Sequence, residues 1–115
     1  MIDQRIRFLG WKKASDIYDL YLASDLAIFL GSQSALWQQA IGSGLPIILK
    51  RRKEIEYLDL GGNCFFLEHD NIDMVSEELS SLLKNQDKLN YMKKIAMTKG
   101  YETFSYEEIS RRAIE

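Results

Sequence analysis

A chain of 115 residues can bury a real core within one domain, yet it is below the size of most complete α/β enzymes. With 46% hydrophobic residues, 28% charged residues and a formal net charge of -2, it has no surface-wide attraction for nucleic acid or an anionic membrane. The single cysteine, Cys64, excludes an internal disulfide. No apolar run approaches the roughly 20 residues that span a bilayer, and no signal-peptide core follows Met1-Ile-Asp-Gln-Arg5, so a cytoplasmic protein is expected.

Ile6 to Leu9 is β-prone and ends at Gly10, which predicts a strand and a turn. Ser15 is a candidate cap for a helix running to about Ser24, with Asp16 at its positive end and Ile17, Leu20, Tyr21 and Ala23 inward. Leu26 to Leu30 is continuously apolar, the pattern of a strand covered on both faces. A helix is expected from Ser34 to about Ser43, with Leu36, Trp37, Ala40 and Ile41 inward and Gly44 as its stop. Pro46 opens the next strand, where its missing N–H costs least, and Ile47 to Lys50 continue it.

Lys50 to Lys53 and Glu54 to Leu60 read as a connection with room for one helical turn. Gly61-Gly62-Asn63 then turns the chain into a strand from Cys64 to Leu67. Asp70 or Asn71 caps a helix in which Ile72, Val75, Leu79, Leu82 and Leu83 recur at helical spacing. A further helix is expected from about Asp87 to Lys99, stopping at Gly100, and Ser105-Tyr-Glu-Glu108 reads as a capping box for a last one. Strands alternating with helices predict one α/β domain over 1–115, a parallel doubly wound sheet with helices on both faces. About four strands are recognisable, fewer than the six of a complete dinucleotide-binding sheet, so elements before the first strand are expected to be missing.

Four segments, in order, carry a resemblance. They are Arg7-Phe-Leu-Gly-Trp11, the run from Asp16 through Ala23-Ser-Asp25 into Leu26-Ala-Ile-Phe29, Gln39-Ala-Ile-Gly-Ser-Gly-Leu-Pro-Ile-Ile48, and Phe104-Ser-Tyr-Glu-Glu-Ile109. Together they resemble the C-terminal, nucleotide-sugar-binding domain of GT-B glycosyltransferases, nearest to the retaining family-4 type. The resemblance implies a Rossmann-like half of a GT-B fold, incomplete at its N-terminus. It further implies a nucleoside-diphosphate sugar as ligand, with no other cofactor, and an acceptor domain preceding the matched region. The acceptor implied is a glycan or polysaccharide precursor, with a lipid-linked acceptor at the membrane surface as one form and no nucleic-acid partner.

The family's donor site usually carries two glutamates eight positions apart, one near the sugar and one on the ribose. Counting back from Gly44-Leu-Pro46 places these positions at Gly31 and Gln39, so neither carboxylate is present. Gln39 still offers hydrogen bonds to a diol, without charge. The Ser/Gln-rich turn also resembles that of the related nucleotide-sugar epimerases.

Gly31, Ser32, Gln33 and Ser34 follow an apolar strand and precede a helix, where backbone N–H groups and the helix dipole hold phosphate. Plain capping by Ser34 is the competing explanation. A helix begun at Ser34 would carry Gln39 about 7.5 Å further on, a reach that suits a ribose beside a pyrophosphate. Gly10 and Trp11, with Lys12 after them, follow the first strand and are candidate contacts to the base; a simple surface turn explains them equally well. Lys50-Arg-Arg-Lys53 could face a diphosphate or an anionic lipid, but a loop balanced by Glu54, Glu56 and Asp59 is the better reading. His69, the lone histidine, reads as a surface turn residue, and Cys64 as core. One Cys and one His build no metal site, and no catalytic residue is assigned.

The leading expectation is therefore the donor half of a glycosyltransferase, inactive as this chain alone. The alternative is a non-catalytic α/β binding domain. A receiver-like domain is disfavoured, because Asp25 stands before its strand rather than at its carboxyl end.

Overall fold

In the computed structural model, residues 5–10, 12–30 and 36–104 are described. Its centre is a parallel sheet in the order β1-β2-β3, formed by β1 (Ala27–Phe29), β2 (Ile47–Lys50) and β3 (Cys64–Leu67). Ile28 pairs with Ile48 and Ile48 with Phe65, so these three share one face. Ala27, Ile47 and Cys64 share the other. This confirms an α/β fold with a parallel sheet, compatible with a Rossmann-like arrangement.

Alternation along the strands divides the core in two. On one face Ile47 and Leu49 meet Trp37, Ala40 and Ile41 of α2 (Leu36–Gly42) and Ile55 and Leu58 of a 3-10 helix (Lys53–Leu58). On the other, Ile48 and Leu67 meet Leu82 of α3 (Ile72–Lys84) and Met92 of α4 (Gln86–Ile95). The 3-10 turn lies within the connection where one helical turn was expected.

The β1–α2–β2 unit matches the sequence pattern, and its helix stop is explicit. Gly44 has φ +85°, which a residue without Cβ adopts freely. Its N–H donates to Ile41 O at 3.0 Å, and the Leu45 N–H donates to Ala40 O at 3.3 Å. These two bonds satisfy carbonyls that the helix end would leave open, and Leu45 packs into the core behind them. Trp37, Ala40 and Ile41 are buried as expected, while the side chain of Leu36 lies outside the described ones.

At α3 the cap is Asn71 rather than Asp70. Its side chain accepts from the N–H groups of Asp73 and Met74 at 2.8 and 3.4 Å. Asn71→Ala is expected to lower stability by about 1 kcal/mol, read from thermal unfolding. Of the apolar set expected inward on this helix, Leu82 is buried and Val75 and Leu79 are half-buried, but Ile72 and Leu83 are exposed.

Five expectations are corrected. Residues 6–9 form no strand; Ile6 and Phe8 are 58% and 81% exposed, and an extended run becomes a strand only by pairing. The first helix, α1, covers Ala14–Ala23, so its cap position is Lys13 and not Ser15. Of its expected inward face only Ile17 and Tyr21 are half-buried; Leu20 and Ala23 are exposed. β1 is not covered on both faces, because Ile28 is 46% exposed while its row neighbour Ile48 is fully buried.

The last correction concerns Gly100, which does not end a helix. After α4 the backbone passes through a π-helical turn (Ala96–Gly100) into α5 (Tyr101–Phe104). Gly100 is buried against α2, where a Cβ would lie 2.9 Å from the carbonyl oxygen of Ile41. The close approach of two helices, rather than a break in one, accounts for the glycine. The Ser105–Glu108 capping box lies outside the described residues.

Candidate functional site

α2 follows β1, so its first residues stand at the carboxyl end of the sheet. Ligands of parallel α/β sheets bind outside those strand ends. Of the predicted site residues, Trp11, Gly31, Ser32, Gln33 and Ser34 lie outside the described residues. Gly10 and Gln39 lie within them. Gly10 occupies an exposed turn at φ +70°, with open space where a side chain would stand. Gln39 is exposed on α2, between the half-buried Gln38 and the buried Ala40. No hydrogen bond joins Gly10 to Gln39.

Sequence reasoning missed the partner of the adjacent glutamine. Gln38 Nε2 donates to the phenolic oxygen of Tyr57 at 3.0 Å. Tyr57 sits in the 3-10 helix, whose Ile55 and Leu58 are buried, and its own ring stays exposed. The bond therefore ties the start of α2 to the segment after β2. Nothing in the spacing of Gln38 and Tyr57 announces this, because the 3-10 helix alone brings them together.

Lys50 and Arg51 of the basic run are paired with carboxylates, mostly others than those expected. Lys50 Nζ lies 2.8 Å from Asp70. Arg51 donates to Glu68 and to Glu56, the latter at 3.2 Å, and its guanidinium lies 4.7 Å from the centre of the Phe66 ring. The hydrogen bond to Glu68 raises the guanidinium pKa further, and Lys50 holds the Asp70 carboxyl below its ordinary value. Of the expected partners only Glu56 takes this role. Asp59 instead accepts from the N–H groups of Gly62 and Cys64 at 2.8 and 3.4 Å, closing the turn before β3.

His69 is a surface turn residue whose Nδ1 lies 2.7 Å from Glu78 Oε1. Glu78 Oε2 accepts the Glu68 N–H at 3.1 Å, so one carboxylate of α3 holds the loop after β3. Hydrogen bonding to His69 depresses the Glu78 pKa, with the backbone bond from Glu68 acting in the same direction. A carboxyl with a depressed folded-state pKa stabilises above its unfolded value, and the contribution disappears as pH falls through the folded value. The melting temperatures of wild type and Glu78→Gln should accordingly differ at pH 6 and converge below about pH 4. A constant gap down to pH 3, followed by circular dichroism, would contradict this clamp.

Cys64 is buried, and desolvation, aided by Asp59, pushes its thiol far above the ordinary range. It stays protonated and unreactive. A groove of about 370 Å³ lies between α3, α4 and β3, lined by Phe65, Glu78, Leu82, Asn85 and Lys88. The chain turns from α3 into α4 at Asn85, which is one of the groove's lining residues. Among the described residues no group of three metal-ligating side chains occurs, and no helix is long and apolar enough to cross a membrane. No family model matches the chain, and no curated protein or solved structure matches it either.

Proposed function

We propose that this chain is the donor-binding part of a glycosyltransferase, binding a nucleoside-diphosphate sugar at the carboxyl ends of β1 and β2. The observation that carries the reading is the parallel β1–α2–β2 unit with Gln39 exposed on α2 while Trp37, Ala40 and Ile41 are buried. Exposure leaves the Gln39 amide open to a ligand, and parallel α/β sheets bind phosphate-bearing ligands beside the helix that follows such a strand, which supports the reading.

In this reading the backbone N–H groups and hydroxyls of Gly31 to Ser34 hold the pyrophosphate, and Gln39 hydrogen-bonds the ribose. Gly10 and Trp11 border the base. The contribution to transfer is electrostatic: donors aimed at the departing diphosphate stabilise the charge that develops as the sugar leaves. The acceptor site and further basic groups belong to a preceding domain, so the chain alone binds a nucleotide weakly and transfers nothing. The product would be a polysaccharide or another glycan, and the setting cytoplasmic, at the membrane surface where the acceptor is lipid-linked.

Calorimetric titration with uridine, guanosine and adenosine diphosphates tests the proposal. One of them should bind at millimolar levels or better. Gln39→Ala should weaken that binding about fivefold to tenfold, the loss of one or two net hydrogen bonds. Absence of binding by all three, or wild-type affinity in both Gln39→Ala and Ser34→Ala, would overturn it.

One observation favours a second reading. Positions 31 and 39 hold glycine and glutamine instead of two carboxylates, which suits a binding domain without catalysis. Nucleotide binding without transfer, once a preceding acceptor domain is supplied, would select that reading.

A further inference from the structure

We draw no further inference here: the strongest candidate, the apolar flank beside β1 where Leu22, Ile28 and Leu30 stay exposed, carries nothing because no feature of the structure shows what covers it.

Discussion

Asn63→Ala is expected to destabilise the protein by about 3 kcal/mol, read as a lowered urea midpoint at an unchanged slope. Asn63 is fully buried, the one polar side chain so placed among the described residues. Its Oδ1 accepts the Leu60 N–H at 2.6 Å, and its Nδ2 donates to Leu58 O at 3.2 Å. Its own carbonyl accepts the Ile47 N–H at 3.1 Å and so begins the β2–β3 ladder. Truncation leaves an amide and a carbonyl without partners beside the buried Leu58, and each such group costs about 1–3 kcal/mol. Asn63→Asp should fare no better: it keeps the acceptor, loses the donor and buries a charge against a carbonyl. A change below about 1 kcal/mol in both variants would show that the turn closes without this side chain.

Gly100→Ala is the second large effect, about 2 kcal/mol of net destabilisation. A methyl group there meets the Ile41 carbonyl oxygen at 2.9 Å and Ile41 Cγ2 at 3.1 Å. The nearer atom is backbone, held by the α2 helix, so it cannot swing aside as a side chain would. Overpacking of this kind costs about 1–3 kcal/mol. Alanine's better helix propensity returns up to about 1 kcal/mol, which keeps the net value below the worst case. A thermal melt separates the outcomes. A raised melting temperature would mean that helix propensity outweighs the contact with Ile41.

These two sites also mark where sequence reading stops. Strand and helix order was legible because Ile47 to Leu49 form a short continuous apolar run, while Trp37, Ala40 and Ile41 recur at a spacing of three to four. The α2 stop was legible because Gly44 needs a left-handed backbone, a local requirement. Gly100 reads identically in one dimension, yet its reason is Ile41 on another helix. Propensity names it a stop; tertiary packing makes it a point of contact. Asn63 was legible only as a turn residue, since burial of a side chain in a Gly-Gly-Asn turn depends on what folds over it.

Local pattern misled at the edge for a related reason. Leu26 to Leu30 is apolar on both faces, but Ile28 is half-open because α3 and α4 cover the rows of β2 and β3. Ile6 to Leu9 is β-prone, yet it pairs with none of the three described strands. In the candidate site, the placement of Gln39 on the outside of α2 followed from the same periodicity that buried Trp37. The Gln38–Tyr57 bond did not, because it joins side chains across a 3-10 turn whose path the sequence leaves open.

The helical run from α4 to α5 crosses the molecule. Its Met92 packs with Ile48 and Leu67 on one face of the sheet, while Phe104 packs with the α2 core on the other. A single continuous helix thus laces together two apolar clusters that the strands hold apart. Neither cluster can lose its packing without loosening the rod that the other grips, so the two halves of this core should melt as one cooperative unit.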